Sequence, residues 1–323
     1  MNVSLQLHCK AQSNKVKASI IVCTKNRPMY LAICLQAIKS AQPKNGEIIV
    51  VDSSCDSFRE ENRAICQYLK AKYYYENRPK LAVARNRGID LSKGDIVIFV
   101  DDDFIINKRS IKNLIRNYSD SRVVCCTGRI LANNVFNQVE CLKGTHIYDR
   151  GNERRVFSIN DIKIPKIFNA RSIAKKYWLN EKAPVPWSVG SGFCSFKKNI
   201  FKIVGYFDES LGTDTRSAGE DVDMFYRILK KGYYIIYEPS AIAYHNISLD
   251  VDWTLTKAYI YAKEKPYFFK KYYYDSYMIA CFFGYLALLN YRLLRSFLSK
   301  NSAIKKIIKA EYMGFLSTLG KIL

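Results

Sequence analysis

Apolar residues in the first third of the chain alternate between short continuous runs and segments with helical spacing. The continuous runs lie at residues 19–24, 47–51 and 96–100 and are typical of strands buried on both faces of a parallel sheet. Between the first two runs, Leu31 and Leu35 fall on one helical stripe. This alternation predicts βαβ units and an α/β fold with a mainly parallel sheet.

The same pattern continues to residue 245 and predicts the remaining elements. Helices are predicted over residues 58–70, 81–91, 108–118 and 219–229, and strands over residues 73–75, 123–127, 233–237 and 241–244. Asn26 is predicted to cap the first helix, with Pro28 in its first turn. Residues 131–184 are less regular, which predicts loops or a substrate-specific insertion, and residues 184–193 are interpreted as a turn that leads into a strand.

Polar side chains follow three of the predicted strands. Thr24, Asp52 and the triplet Asp101–Asp103 each stand at a strand end, and ligands of open parallel sheets bind outside these carboxyl ends. Three adjacent carboxylates repel one another, and a bound Mg or Mn relieves that repulsion. The triplet is therefore either a metal site or a set of turn-forming and capping residues, which Asp-rich strand ends also supply.

A second acidic group begins the helix predicted at residues 219–229. Asp221 falls on the core-facing side at the helix N-terminus, where a carboxylate points into the adjoining crevice. Asp223 stands four residues before Arg227, a spacing that predicts an exposed helix ion pair. His245 ends the last predicted strand. A lone histidine is more often structural, but this position favours a ligand role.

Charge and cysteine content narrow the function classes. The chain carries 51 Lys and Arg against 29 Asp and Glu, and its net charge of +22 attracts phosphate-bearing partners such as sugar nucleotides and anionic lipids. No nucleic-acid-binding motif accompanies this charge, so no nucleic acid partner is expected. Ten cysteines without a CxxC pair predict free thiols in a reducing compartment. Because the N-terminus also lacks an apolar signal segment, a cytoplasmic location is expected.

Six ordered motifs resemble those of the family 2 glycosyltransferases, an inverting group with the GT-A nucleotide-diphosphosugar transferase fold. The motifs are SIIVCTKNRP at residues 19–28, VDSS at 51–54, ARNRGI at 84–89, VDDD at 100–103, GSGF at 190–193 and GEDVDMFYRILKKGYYIIYEPSAIAYH at 219–245. The resemblance implies a Rossmann-like, mainly parallel mixed sheet flanked by helices. It also implies metal-assisted transfer of a sugar from a nucleotide-diphosphate sugar to an acceptor hydroxyl, with inversion.

The resemblance assigns the donor site to strand ends, the ARNRGI motif and the glycine motif. Contacts with the nucleotide sugar fall to Thr24, Asn26, Asp52, Arg85, Asp101, Asp102, Gly190 and Gly192. Asp52 is placed like the acid that receives a uracil imide, which favours UDP over GDP or dTDP. Asp102 is expected to be the member of the triplet that is most tolerant of change.

The resemblance also implies the metal site and the catalytic base. A divalent cation, Mn or Mg, is assigned to Asp103, Asp101 and His245, with Asp103 as the direct ligand and Asp101 nearer the ribose. Asp221 matches the catalytic base of the family's acidic pair, and Glu220 is the second choice.

Three parts of the chain are expected. They are an N-terminal tail at residues 1–17, a GT-A domain at 18–249, and a basic, aromatic, helical extension at 250–323. The GT-A domain divides into a nucleotide-binding half at 18–130 and an acceptor and catalytic half at 131–249. Neither a Q-x-x-R-W motif nor several membrane spans is found. Addition of single sugars is therefore expected, and not polymer synthesis.

The extension has two interpretations. Residues 290–323 carry seven Lys or Arg against one Glu. They form either an amphipathic helix on the anionic inner face of a membrane or a helical cap on the catalytic domain. The uncharged run at residues 278–289 is expected to be too short to span a hydrocarbon core of about 30 Å.

The leading functional hypothesis is a glycosyltransferase that acts on a glycan or lipid-linked acceptor in cell-envelope synthesis. One alternative is a nucleotidyltransferase on a related fold, which typically carries a Gly-rich, Arg-containing loop where this chain has TKNRPMYL. The other is a non-catalytic, basic binding or scaffold protein. The acids at positions 101, 103 and 221 argue against this last alternative.

Overall fold

The structure is a computed structural model that describes residues 17–41, 43, 45–132, 149–162, 185–211, 219–246 and 251–322. The predicted tail before residue 17, most of the irregular region at 131–184 and the expected turn residue at 184 lie outside these residues. Within the described residues, one mixed sheet is flanked by helices on both faces, and three long helices follow it. The predicted fold class is confirmed.

Nine strands of the described residues form the sheet. They are β1 Ala18–Thr24, β2 Glu47–Asp52, β3 Lys72–Tyr75, β4 Ile96–Val100, β5 Phe104–Ile106, β6 Val123–Ala132, β7 Arg155–Phe157, β8 Phe193–Lys197 and β9 Tyr234–His245. The order is β3-β2-β1-β4-β8-β6-β9-β5, and β7 pairs with β9. The strands β1 to β4 are parallel, whereas β8 runs antiparallel to both of its neighbours, β4 and β6.

The helices follow the predicted alternation. They are α1 Pro28–Ala41, α2 Asp56–Tyr68, α3 Leu81–Leu91, α4 Ser110–Ile115, α5 Ile200–Val204, α6 Glu220–Lys230, α7 Val251–Lys271, α8 Ser276–Leu298 and α9 Ser302–Ile322. Alternate strand residues enter two cores: Ile20 packs with Leu31 of α1, and Ile21 packs on the side of α3 and α6. Burial on both faces explains the continuous apolar runs of the strands.

The start of α1 differs from the prediction in one detail. Pro28 begins the helix as expected, because its missing N–H is not needed there. The cap is Arg27, whose carbonyl accepts the N–H of Leu31 at 3.0 Å. The predicted cap, Asn26, instead accepts the backbone N–H of Cys55 at 2.9 Å and so joins the loops that follow β1 and β2.

Two further elements differ in extent. The strands predicted at residues 233–237 and 241–244 are joined in one strand, β9 Tyr234–His245. The register between β6 and β9 shifts after Glu238. Pro239 follows at once and has no N–H for the ladder, which accounts for the irregularity. The helix predicted at residues 108–118 ends earlier, because α4 passes into a 3₁₀ turn at Arg116–Ser119.

The C-terminal helices share the core of the sheet domain. Phe268 of α7 and Tyr277 of α8 lie in the same apolar cluster as Phe225 of α6, and the Tyr277 hydroxyl donates to the Val185 carbonyl at 2.7 Å. One face of the extension therefore caps the catalytic domain. Its other face is considered below.

Asp223 and Arg227 form the predicted ion pair, but the prediction that this pair is exposed is wrong. Asp223 is fully buried. It accepts from Arg227 Nε at 2.8 Å, and its other oxygen lies 2.6 Å from Lys271 Nζ and 2.5 Å from the Tyr272 hydroxyl. Because α7 and the turn that follows it cover this position, Asp223 fastens α6 to the extension.

Among the described residues, α8 is the one helix that is long and apolar enough to cross a membrane, by length and composition alone. The expectation that residues 278–289 are too short to span a hydrocarbon core considered only the uncharged run. The helix itself is longer, because it continues to Leu298, past Arg292 and Arg295.

Candidate active site

Strand ends, a glycine loop and residues of three helices, α3, α6 and α7, enclose a cleft of about 670 Å³. It lies at the carboxyl ends of β1 and β4, where ligands of open α/β sheets bind. β1 contributes Thr24, the residues after β4 contribute Asp101–Asp103, α6 contributes Asp221 and β9 contributes His245. Residues predicted from four distant segments therefore meet at one cleft.

The three aspartates after β4 differ in environment. The side chain of Asp101 is 36% exposed, whereas Asp102 and Asp103 are buried. Thr24 donates its hydroxyl to Asp102 at 2.7 Å, and Arg27 donates to Asp102 at 3.2 Å and to Asp103 at 3.1 Å. Burial and the charge of Asp103 raise the pKa of Asp102 to about 7. These contacts correct the expectation that Asp102 is the most tolerant member.

Asp103 and His245 form the pair that best fits a cation. Asp103 Oδ2 lies 3.6 Å from His245 Nε2, and the buried Asp103 Oδ1 has no hydrogen-bond partner among the described residues. Burial opposes the charge of Asp103, but His245 and Arg27 outweigh it, so the pKa of this carboxyl is lowered.

No group of three or more Asp, Glu, His or Cys in the described residues could hold a metal ion by itself. A carboxylate beside an imidazole still suits Mn or Mg, because these ions keep water ligands and take phosphate oxygens from a substrate.

Arg85 connects the triplet to α6 beneath the cleft. Its guanidinium lies 2.6 Å from Glu220 Oε1 and 3.4 Å from Asp101 Oδ1. It also faces the rings of Phe99 and Phe207, at 5.7 and 5.5 Å from their centres. Burial disfavours the charge of Arg85, but Glu220 and Asp101 outweigh burial and raise its pKa. Arg85 therefore remains a cation and holds the start of α6 against the strand ends.

The two acids that begin α6 have different surroundings. Glu220 is almost fully buried and engaged by Arg85, whereas Asp221 is partly exposed in the cleft. This difference supports Asp221 over Glu220 as the carboxylate that meets a substrate.

The glycine motif approaches the acids closely. Gly190 and Gly192 have φ of +85° and +89°, in the region that favours glycine. A Cβ on Gly192 would lie 2.7 Å from Asp101 Oδ2 and 2.9 Å from the Phe104 ring. The Gly192 carbonyl accepts the backbone N–H of Asp101 at 3.0 Å. Only glycine fits at position 192, which packs against Asp101 and Phe104, whereas Gly190 lines the cleft.

Asp52 does not line the cleft and has no exposed surface. Its carboxylate accepts from the Ser54 N–H at 2.8 Å, from Asn62 Nδ2 at 3.1 Å and from the Tyr73 hydroxyl at 2.8 Å. The prediction that Asp52 contacts the nucleotide base directly is therefore wrong. Asp52 instead orders the loop after β2. Ser53 lines the cleft instead, and its buried hydroxyl has no hydrogen-bond partner in the described chain.

The sequence interpretation missed one wall of the cleft, which α7 supplies. Its lining residues recur at helical spacing and are Lys257, Ile260, Tyr261, Glu264, Lys265 and Phe268. The charge of Lys257 contributes to the low pKa of Asp103, so the ammonium lies on the metal-site side. Arg27 was missed as well. The three- and four-residue spacing on α7 was the available signal for this wall.

Known proteins resemble this chain in sequence. The model of Glycosyl transferase family 2 matches residues 19–178. Glycosyltransferase GlyG of Streptococcus pneumoniae is 25% identical over 162 residues, which cover 48% of this chain and 50% of GlyG. The GalNAc(5)-diNAcBac-PP-undecaprenol beta-1,3-glucosyltransferase of Campylobacter jejuni is 25% identical over 205 residues, 61% of this chain and 57% of that protein. The chain thus spans about half the length of these curated relatives.

Solved structures share the fold. A Pyrobaculum calidifontis mannosyltransferase in complex with GDP-Man and Mn²⁺ superposes with a TM-score of 0.56 and 16% identity, over 94% of this chain and 88% of that one. GalNAc-T7 with UDP, GalNAc and Mn²⁺ superposes with a TM-score of 0.53 and 15% identity, over 79% of this chain and 51% of that one. With the family match over residues 19–178 and the GT-A fold, this chain belongs to glycosyltransferase family 2.

Proposed function

We propose that this protein transfers a sugar from a nucleotide-diphosphate sugar to an acceptor hydroxyl, with inversion, in cell-envelope glycan synthesis. The observation that carries the proposal is the cleft that Asp221 shares with the Asp103–His245 pair. One partly exposed carboxylate and one cation-binding pair are what displacement of a nucleoside diphosphate requires.

Each residue has a role in this proposal. Asp221 accepts the proton of the acceptor hydroxyl, and attack from the face opposite the leaving group inverts the anomeric carbon. Asp103 and His245 hold Mn or Mg, with Asp101 nearer the ribose. When bound, the cation stabilises the charge that develops on the leaving diphosphate. Lys257 adds a positive charge on the same side.

The base is proposed to lie against Asn26 and Ser53, whose loop Asp52 holds in place. UDP, GDP and dTDP stay equal candidates, because Asp52, on which the expectation of UDP depended, does not line the cleft. The structural relatives do not choose among bases, because one holds GDP-Man and the other UDP.

The acceptor is proposed to be a lipid-linked glycan, the class that the name of the Campylobacter jejuni relative describes. The reaction is proposed to take place on the cytoplasmic side, at the inner face of a membrane, and the free thiols of the described residues support this proposal. Single additions are proposed rather than polymerisation.

A thermal-shift panel tests the donor site. We expect one UDP-, GDP- or dTDP-sugar to raise the melting temperature of the protein in the presence of Mn, and to lose this effect when Mn is omitted. The Asp103→Ala variant should lose the Mn-dependent shift, because it removes the buried carboxylate. Asp56→Ala, on the exposed start of α2, should keep it. No shift with any donor favours the scaffold alternative.

Replacing Lys257 by Met tests the role of the extension in the reaction. We expect kcat to fall by about 10- to 100-fold, because the variant loses a cation beside the leaving diphosphate. Lys257→Arg should restore part of the rate. Lys263→Met, on the same helix but outside the cleft lining, should react like the unaltered protein. Equal kcat values for the two Met variants would remove Lys257 from the reaction.

A further inference from the structure

The helix α8 exposes an apolar stripe along its whole length. Its outward residues, spaced by three or four positions, are Ile279, Phe283, Ala287, Tyr291, Leu294 and Leu298, with Phe297 beside them. The large side chains in this set are between 37% and 87% exposed. Single exposed apolar residues are ordinary, but a contiguous stripe of this kind marks an interaction surface. We propose that it docks the protein on an anionic lipid membrane, with α8 lying in the plane of the interface.

The opposite face of α8 explains why the helix lies on the membrane and does not cross it. Met278, Cys281, Tyr285 and Leu289 are buried against the rest of the protein. Arg292, also on this helix, pairs with Glu311 of α9 at 2.7 Å. A helix that crossed the bilayer would have to expose this packed face. In the interface, α8 keeps its inner contacts and buries its outer stripe.

Charge around the stripe fits an anionic surface. Glu311 is the one acidic residue between residues 276 and 323, and Arg292 neutralises it. The exposed basic side chains near the stripe and on α9 are Arg295, Lys300, Lys305, Lys306 and Lys309. The Arg295 guanidinium lies 5.8 Å from the centre of the Tyr291 ring. This arrangement keeps a charge at the edge of the apolar surface, as interfacial arginines do.

The same charges argue against a second copy of this chain as the occupant. Two copies joined through α8 would bring their basic residues together, within molecules of net charge +22 each. Such a contact is repulsive unless anions intervene. Anionic headgroups attract the same residues, each of which strengthens binding by about fivefold.

The helix α8 is connected to the cleft wall through α9, because Arg292 of α8 pairs with Glu311 of α9. Gly314 of α9 lies so close to the backbone of Tyr259 on α7 that a Cβ would overlap its carbonyl oxygen. α7 in turn lines the cleft through Lys257 and Tyr261. Docking through α8 therefore holds the cleft near the lipid surface. The binding itself does not depend on the proposed reaction.

Flotation of the full chain with lipid vesicles tests the proposal. Vesicles of phosphatidylcholine, with or without about one third phosphatidylglycerol, are used at low and high salt. We expect binding to the anionic vesicles at low salt, weak binding to neutral vesicles, and release by high salt or by alkaline carbonate. Resistance to carbonate would show a spanning helix and overturn the interfacial geometry.

Two variants separate the apolar and the charged contributions. Phe283→Gln combined with Leu294→Gln should weaken binding at least tenfold, and so should Arg295→Gln combined with Lys300→Gln. Tyr68→Gln, which alters an exposed side chain of α2, is the matched control and should bind normally. Melting curves establish that each variant is folded.

Normal binding by both double variants would overturn the proposal. So would sedimentation of the unaltered chain as a dimer that the Phe283 and Leu294 changes convert to monomer, because a second copy would then cover the stripe.

Discussion

Replacing Asp221 by Asn lowers kcat by about 10²- to 10⁴-fold, while the Mn-dependent donor affinity stays unchanged. The amide keeps the size of the side chain and cannot accept the proton of the acceptor hydroxyl. Donor binding persists because Asp103, His245 and the glycine loop are unaltered. Steady-state kinetics and donor titration of the same preparation measure the two quantities separately.

The matched control for this substitution is Asp56→Asn. Asp56 also stands in the first turn of a helix, α2, but its side chain is 91% exposed and does not line the cleft. Its kcat should equal that of the unaltered protein. If Asp221→Asn retains full turnover, Asp221 is not the base and Glu220 becomes the residue to test.

The ends of β1 and β4 could be predicted from the sequence because each of these strands is buried on both faces. Continuous apolar runs locate such strands, and their carboxyl ends must meet at one edge of a parallel sheet. This rule explains why Asp103 and His245 lie close together although they are 142 positions apart in the sequence. The GSGF motif could be placed beside them for a similar reason, since its glycines allow close approach.

Asp52 and Asp223 show where the prediction fails. A periodic pattern tells which side of an element a residue faces, but not whether another element covers that side. Tyr73 and Asn62 cover Asp52, and Lys271 and Tyr272 cover Asp223. Both acids therefore organise the structure beneath the surface.

The spacing of the α7 residues indicates a helix face, but the sequence could not place that face at the cleft, for a related reason. Its cleft-facing stripe mixes Lys, Tyr and Glu, a composition that resembles an ordinary solvated helix face. The apolar side chains Phe268 and Phe269 pack against Trp187, at 5.2 and 5.8 Å between ring centres. That contact joins segments about 80 residues apart and leaves no local pattern in the sequence.

Replacing Glu220 by Leu destabilises the protein by about 3–5 kcal/mol, because it leaves the buried Arg85 without its nearest partner. The guanidinium cannot lose its proton at any accessible pH, so its desolvation is not relieved. Asp101, at 3.4 Å, is a more distant partner. Urea unfolding measures the loss. A free energy of unfolding within about 1 kcal/mol of the unaltered protein would show that the pair contributes little.

The reverse substitution, Arg85→Met, has a different pH dependence. Burial already raises the pKa of Glu220 from its ordinary value of 4.5 to about 7 with Arg85 present, and loss of this cation raises it further. The folded variant then binds a proton that the unfolded chain has released. Its free energy of unfolding therefore falls as the pH rises from 4.5 through 7. The double variant Arg85→Met and Glu220→Leu should lose this dependence and recover much of the stability, because neither member of this buried pair is left without its partner. A double variant less stable than Glu220→Leu alone would show that the fold requires the guanidinium for its contacts with Asp101 and the two phenyl rings.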